Sequence, residues 1–380
     1  MKVFKEEWLK DLSQQYNYRN RYTAPFIAKL AFDPILSPER DIVEVWFDRL
    51  PEEAKPDILS RLRSTNSHYH FGAYFELVLY AYLKDLGFCV SFHPKIAEGE
   101  PDLLVSGKNL IKPIVIEVAT VFDEPQQEKE EQKFNIILEK LDSIEHYYSV
   151  IISNESEQIP DDVNYDKLRY FIESQLSSLY SRAISNPQEF EYKEGGLKLK
   201  LTALPNLDKS SIIFGYGGQA RFIGTDQLRR AIKKKITKYK SVKELGLSFI
   251  VALNLANVPA GEAGLLNVLF GDRVVRIKRN RKGEPINVEE GRNFKGLFTP
   301  KPGLGGKAQN TRLSAVLNIV SKWPERNMNE PVKRVHNIRI IHNPGASNPL
   351  DIDVFKGLPQ FTLLSEDDAG ITLGWIDDVS

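Results

Sequence analysis

The segment IKPIVIEVATV, residues 111–121, constrains the fold more than any other part of the chain. From Ile114 onward it is apolar at successive positions, apart from Glu117 and Thr120. A strand that is solvated on one face alternates apolar and polar residues, whereas a strand buried on both faces is continuously apolar. We therefore expect this segment to be a strand inside a sheet that is covered by helices, which is an α/β fold.

The neighbouring segments predict the other elements of such a fold. Residues 71–86, FGAYFELVLYAYLKDL, carry apolar side chains at helical spacing. Residues 88–94 and 102–106 read as strands that precede the strand at 111–121. A charged helix at roughly 125–146 and a strand at 148–153 follow. The predicted order is a helix, three strands, a helix and a strand.

The length and composition of the chain indicate an ordinary globular protein of more than one domain. The 380 residues are enough for two or three domains. Apolar residues make up 42% and charged residues 27%, which excludes global disorder and collagen-like repeats. We predict a helical N-terminal region at 1–62, a core domain at 63–160 and a basic α+β C-terminal region at 161–380.

A net charge of zero conceals an uneven distribution of charge along the chain. Residues 1–190 contain 21 basic and 32 acidic residues, whereas residues 191–380 contain 30 and 19. This asymmetry suggests that the second half meets a polyanion. The alternative is two domains whose solvated faces differ in charge.

The cysteine content and the hydropathy pattern indicate a cytoplasmic protein without a membrane segment. Cys89 is the single cysteine and therefore has no internal disulfide partner. This favours a reducing compartment. The N-terminus lacks the apolar stretch of a signal peptide. No apolar run approaches the ~20 residues that a membrane helix needs.

Three carboxylates occur where the pattern predicts apolar surroundings: Glu76 on the helix, Asp102 at the start of a strand and Glu117 near the end of the next. Burying an unpaired charge costs several kcal/mol, so each of them needs a partner or a function. If the two strands form a hairpin, Asp102 and Glu117 approach each other. Such a pair of oxygen ligands suits Mg²⁺ or Mn²⁺. An ion of this kind can polarise a phosphodiester and activate water.

At these residues the chain resembles the restriction-endonuclease-like nucleases, the PD-(D/E)XK superfamily. The resemblance covers roughly residues 68–153, in the order of elements given above. The matching residues are Glu76 in FELVLYAYL, Pro101-Asp102 in GEPDLLV and Glu117-Val118-Ala119 in VIEVAT. The resemblance implies a mixed sheet flanked by helices. It further implies a metal ion held by Asp102, Glu117 and the backbone carbonyl of Val118, and a second ion or its water supported by Glu76.

The chain departs from the family pattern at Ala119, where the family has a lysine. That lysine orients the attacking water or stabilises charge on the phosphate. The resemblance implies a replacement from the following helix, for which Lys133 is preferred over Lys129 because it lies deeper in the helix. Other candidates remain open, namely Lys95, Gln126, Gln127 and Gln132.

Two strongly basic segments in the second half are candidates for contact with phosphates. Such contacts position a nucleic acid but do not read its sequence. For a single charged segment, the alternative is an ordinary solvated face. The helix predicted at 225–244 carries Arg229, Arg230, Lys233, Lys234, Lys235, Lys238, Lys240 and Lys243, and the segment RVVRIKRNRK carries Arg273, Arg276, Lys278, Arg279, Arg281 and Lys282.

The sequence thus predicts a metal-dependent endonuclease that hydrolyses phosphodiester bonds, with DNA as the expected nucleic acid and Mg²⁺ or Mn²⁺ as cofactor. A role in restriction or genome defence follows from the resemblance alone. Cutting both strands at once requires paired active sites, which a homodimer provides. The alternative, favoured by Ala119, is a catalytically silent protein of the same fold that binds nucleic acid or a partner in a defence complex.

Overall fold

The chain is divided into two compact units. One, here called the sheet unit, consists of Met1–Lys5, Pro34–Phe122 and Phe222–Ser380. The other, called the inserted unit, consists of Glu6–Asp33 and Asp123–Arg221. The computed structural model describes residues 1–16, 22–96, 99–107, 110–122, 125–211, 213–216, 224–239, 244–255, 262–280, 285–293, 295–300, 307–324, 331–367 and 370–376.

Five α-helices come first in the chain, helices and strands mix in its middle, and six strands follow the last α-helix among the described residues. The helices are α1 (Glu6–Gln15), α2 (Phe26–Phe32), α3 (Ser37–Asp48), α4 (Lys55–Leu62), α5 (Ser67–Asp85), α6 (Pro125–Leu141), α7 (Tyr165–Ser181), α8 (Thr225–Lys238) and α9 (Glu262–Phe270). The first strands are β1 (Cys89–Phe92), β2 (Leu103–Ser106), β3 (Ile114–Val121), β4 (Glu145–Asn154), β5 (Gln188–Glu194), β6 (Leu197–Ser211) and β7 (Ile213–Tyr216). The remaining strands are β8 (Ser248–Leu255), β9 (Arg273–Arg279), β10 (Pro285–Arg292), β11 (Ala315–Lys322), β12 (Val335–His342), β13 (Gln360–Asp367) and β14 (Gly370–Ile376).

The sheet unit is built on a mixed sheet of 8 strands in the order β1-β2-β3-β8-β11-β12-β13-β14. The three strands that the sequence predicts, β1, β2 and β3, form an antiparallel meander. Strand β8 then pairs in parallel with both β3 and β11. The predicted α/β class, a mixed sheet flanked by helices, is confirmed.

Strand β3 lies in the interior of this sheet, as its continuous apolar run predicts. Its first six residues, Ile114 to Ala119, are all buried. The face that carries Val115 and Ala119 packs against α8 and α9, through side chains such as Leu228 and Leu265. Helix α5 also contacts β3. Glu117 is therefore a charged residue inside a well-packed core.

The chain leaves the sheet after β3, and this differs from the predicted order. Helix α6 and strand β4, which we expected to complete the core, belong to the inserted unit. There β4 pairs with β6 and β7. Beyond β2, the neighbour of β3 in the sheet is β8, and α8 is among the helices that pack on this pair. A strand pattern indicates burial but not the pairing partner, so an insertion between two core elements leaves no local signal.

The predicted boundaries at 1–62, 63–160 and 161–380 consequently differ from those of the structure. Helices α1 and α2 lie in the inserted unit, whereas α3 and α4 lie in the sheet unit. The core begins at Pro34, is interrupted after Phe122 and resumes at Phe222.

The inserted unit has its own core and its own charge. A four-stranded sheet, β5-β6-β4-β7, packs with α6 and α7 around side chains such as Ile137, Ile172 and Leu201. The unit contains 15 basic and 22 acidic residues, against 36 basic and 29 acidic residues in the sheet unit. The positive charge thus belongs to the unit that carries β3. Among the helices of the described ranges, none has the length and apolarity to cross a membrane.

Candidate active site

Asp102 and Glu117 lie side by side because β2 and β3 pair as an antiparallel hairpin. Leu103 is opposite Ile116 in the register, so the residue before β2 comes beside the residue after Ile116. The backbone N–H of Val118 donates to Asp102 Oδ2 at 2.7 Å and fixes this carboxylate. The approach of the two acids that the sequence predicts is therefore present in the fold.

A lysine from α8 lies between these two carboxylates. The ammonium of Lys235 is 2.6 Å from Glu117 Oε2 and 3.3 Å from Asp102 Oδ2. Burial lowers the pKa of Lys235 and the charges of Asp102 and Glu117 raise it, and the net shift is upward. Lys235 therefore carries a full positive charge at neutral pH, directed at both acids.

The amphipathic pattern of α8 explains how Lys235 reaches this position. Leu228, Ile232 and Ile236 form its buried stripe against the sheet. Lys235 directly precedes Ile236, so its side chain leaves the helix at the edge of the buried face. Only 22% of that side chain is exposed.

Glu117 has two further partners at the end of α8. The ammonium of Lys238 lies 3.2 Å from Glu117 Oε1, and the hydroxyl of Tyr239 donates to the same oxygen. The Tyr239 oxygen is also 2.8 Å from the carbonyl oxygen of Glu100. Burial and the hydrogen bond with Glu117 raise the pKa of Tyr239, so its hydroxyl stays protonated. A carboxylate that is completely buried is thus held by two cations and one hydroxyl.

Glu76 has a different partner from the one that the resemblance implies. Arg61 on α4 donates to both of its carboxylate oxygens, at 2.7 and 2.6 Å, and also pairs with Asp57. Burial raises the pKa of Glu76, while the guanidinium opposes that shift. Both oxygens accept from Arg61, so the charge of Glu76 joins α5 to α4. Support of a second metal ion by Glu76 stays a prediction.

The preferred substitute lysine, Lys133, is used elsewhere. It lies on α6 of the inserted unit, where its ammonium donates to the Ile159 carbonyl at 2.6 Å and pairs with Asp161 at 2.8 Å. Lys129, Gln126, Gln127 and Gln132 are on the same helix, and Lys95 is exposed in the sheet unit. The residue that faces the two acids is Lys235, which the sequence grouped with the phosphate-binding cations. Its place beside the apolar stripe of α8 is the signal that could have distinguished it.

The predicted phosphate-binding residues divide into several groups. Lys233 and Lys234 are exposed on α8. Lys238 belongs to the Glu117 cluster, and Arg229 donates to the Lys295 carbonyl at 2.7 Å. Arg230 and Lys278 are both exposed. The side chains of Arg276 and Arg279 lie outside the described part of the structure, and so does the whole of Arg281.

The donor set at Asp102 and Glu117 consists of oxygen atoms. The described residues contain no group of three or more His, Cys, Asp or Glu side chains placed to hold a metal ion. The candidate oxygen ligands are the carboxylates of Asp102 and Glu117 and the Val118 carbonyl. Mg²⁺ binds through one or two carboxylates and keeps several of its waters, so these residues fit a magnesium ion.

No protein-family model, no curated protein and no solved structure matches this chain. The interpretation of the site therefore depends on its geometry and charge.

Proposed function

We propose that the sheet unit is a metal-dependent endonuclease that hydrolyses phosphodiester bonds, with DNA as its substrate. The observation that carries this proposal is the convergence of Asp102, Glu117 and Lys235 from three separate elements. Two acids and one lysine at one point form the set that the family resemblance calls for. The lysine comes from α8 because Ala119 occupies its usual position in β3.

In this proposal the residues of the cluster have separate roles. Asp102, Glu117 and the Val118 carbonyl would hold Mg²⁺, which supplies polarisation of the phosphodiester and a lowered pKa of bound water. The ammonium of Lys235, which lies beside both acids, would stabilise the negative charge that develops on the phosphate. Tyr239, whose hydroxyl donates to Glu117 Oε1, keeps this carboxylate oriented.

The charge of the surroundings supports a polyanionic substrate. The sheet unit carries 36 basic and 29 acidic residues. Lys233 and Lys234 are exposed on the same helix that brings Lys235 to the acids. Phosphates that bind these two lysines would therefore lie along α8, the helix that contributes Lys235 to the site.

A second candidate function, a catalytically silent nucleic-acid-binding module, is favoured by one observation. Lys235 and Lys238 together compensate the charges of Asp102 and Glu117 without any metal ion. A protein of this kind would bind nucleic acid in a salt-sensitive manner and leave it intact.

The two functions are separated by incubating the protein with supercoiled plasmid and with single-stranded DNA, in Mg²⁺, in Mn²⁺ and in EDTA. The nuclease proposal predicts cleavage that requires the metal and is lost in Asp102→Asn and Glu117→Gln. Glu100→Gln is the matched control, because Glu100 is an exposed acid two residues from Asp102. Salt-sensitive binding of intact DNA under all conditions would support the silent module and reject the nuclease. A homodimer, which would provide two sites for a double-strand cut, would yield linear plasmid rather than nicked circles.

A further inference from the structure

Strands β9 and β10 form a hairpin that is separate from the large sheet of the sheet unit. They pair antiparallel with each other, and Ile277 lies opposite Val288 in the register. Among the described strands, neither pairs with any third strand. We call this hairpin the arm.

The arm exposes apolar side chains. The exposed fractions are 58% for Val275, 47% for Ile277, 59% for Ile286 and 58% for Val288. Val275, Ile277 and Val288 share one face of the hairpin, since they follow the alternation and register of its strands. A two-stranded hairpin is marginally stable in water, and a cluster of exposed apolar residues marks a surface that meets a partner.

The base of the arm is firmly attached to α9. The guanidinium of Arg292 donates to the Gly271 carbonyl at 2.6 Å and to Asn267 Oδ1 at 3.0 Å. The Asn293 amide donates to Asp272 Oδ2 at 2.8 Å. Gly271 has a φ of +84°, and a Cβ there would meet the Asn293 carbonyl oxygen at 2.1 Å. These hydrogen bonds therefore fix the base of the arm, while its apolar face stays exposed.

The charge of the arm indicates the chemistry of its partner. Residues 273–292 contain seven basic and three acidic residues, and strand β9 contains no acidic residue. Arg273 and Lys278 are exposed. A second copy of the arm would be repelled by this charge, whereas phosphates would be attracted. A two-stranded ribbon has the width that the major groove of B-form DNA admits.

We propose that the arm docks in the groove of duplex DNA, with its basic residues at the phosphates and its apolar face covered by sugars and bases; this inference rests on the proposed nuclease function. Helix α8 connects the base of the arm with Asp102 and Glu117. Arg229 bonds to the Lys295 carbonyl just beyond β10, while Lys235 reaches the acids. Six residues of helix separate them, about 9 Å along the axis. A duplex bound by the arm would thus pass close to Asp102 and Glu117.

The test measures binding of a fluorescein-labelled duplex, and of a single strand of the same length, by fluorescence anisotropy in EDTA. The double variant Ile277→Thr, Val288→Thr keeps β-branched side chains but removes apolar surface. The matched control is Ile111→Thr in the sheet unit, where Ile111 is 98% exposed. The variant Lys278→Gln tests the charge without any change in the apolar face.

The proposal predicts that the double variant weakens duplex binding by about tenfold, that single-strand binding changes less, and that Ile111→Thr binds like the original protein. Lys278→Gln should reduce the slope of log K against log salt by about one. Unchanged duplex binding in both arm variants would overturn the proposal. So would a concentration-dependent dimer that disappears in the double variant while DNA binding persists, because the arm would then bind a second copy.

The test distinguishes failure of the arm proposal from failure of the nuclease proposal. Arm-dependent duplex binding without cleavage in any metal would reject the nuclease and leave the arm supported. The opposite result is metal-dependent cleavage that is lost in Glu117→Gln, together with duplex binding that is unchanged in the arm variants. It would support the nuclease and reject the arm. Absence of duplex binding by the original protein at low salt would reject the arm in either case.

Discussion

Replacing Lys235 by glutamine removes a cation that contacts both acids of the site. In the original protein its ammonium lies 2.6 Å from Glu117 and 3.3 Å from Asp102. Glutamine is one atom shorter than lysine but keeps a hydrogen-bond donor, so the main effect of the substitution is the loss of charge. Glu117 retains Lys238 and the Tyr239 hydroxyl, while Asp102 retains the Val118 N–H.

The size of the stability effect follows from these remaining partners. Breaking a fully buried ion pair costs about 3–5 kcal/mol. Here Glu117 is completely buried, but Lys235 is 22% exposed and other donors remain. We therefore expect Lys235→Gln to lower the free energy of unfolding by about 1–3 kcal/mol.

The effect on activity should be larger than the effect on stability. Loss of one group that stabilises charge in a transition state costs about 10²–10³ in kcat. The proposed role of Lys235 predicts a loss of this size in single-turnover cleavage at saturating Mg²⁺. Duplex binding in EDTA should change little, since Lys235 faces the acids when no metal is bound.

Lys238→Gln is the matched control for Lys235→Gln. Lys238 is on the same helix and contacts the same carboxylate, but its side chain is 49% exposed and the distance is 3.2 Å. An exposed ion pair contributes about 0–1 kcal/mol, so stability and cleavage should change little. Urea unfolding and single-turnover cleavage of plasmid measure both properties. Equal losses of cleavage in the two variants, or full cleavage by Lys235→Gln, would refute the reasoning.

Three further predictions concern buried polar side chains of the sheet unit. Arg61→Ala removes the guanidinium that donates to both oxygens of the buried Glu76 and should cost about 3–5 kcal/mol in urea unfolding, whereas the double variant with Glu76→Gln should recover much of that loss; no recovery would show that the pair is not the cause. Tyr239→Phe removes the hydroxyl donor to Glu117 and should cost about 1–2 kcal/mol in the same assay, and a change below the error of the measurement would contradict the contact. Burial lowers the pKa of His70 to about 4, so the unfolded chain takes up a proton first as the pH falls from 6.5 towards 4. Stability present above pH 6.5 is then lost, by about 3 kcal/mol at pH 4. His70→Gln should flatten this part of the pH profile in thermal unfolding, and an unaltered profile would exclude His70 as its source.

The first part of the core could be predicted because its signals are local. Helix α5 is expected at 71–86 and found at Ser67–Asp85, and β3 is expected at 111–121 and found at Ile114–Val121. Glu117 stands out in its own strand because an apolar run has no other reason to include a charge. Asp102 could be placed beside it because two short strands joined by a turn pair as a hairpin.

The lysine of the site could not be identified in this way because its position depends on a long-range pairing. The helix that follows β3 in sequence, α6, belongs to the inserted unit, whereas α8, which packs on β3, comes about a hundred residues later. Lys133 and Lys235 look alike by sequence, since each is a lysine on a charged amphipathic helix. Only the parallel pairing of β3 with β8 decides between them. The partner of Glu76 was likewise hidden, because Arg61 precedes it on a different helix.

The central claim is that Asp102, Glu117 and Lys235 form a metal-dependent phosphodiesterase site. The most direct measurement is plasmid cleavage in Mg²⁺ by the original protein and by Glu117→Gln, with duplex binding in EDTA measured on the same preparations. We expect Glu117→Gln to bind the duplex without cutting it, and the original protein to cut only when the metal is present. Equal cleavage by both proteins, or cleavage that persists in EDTA, would contradict it.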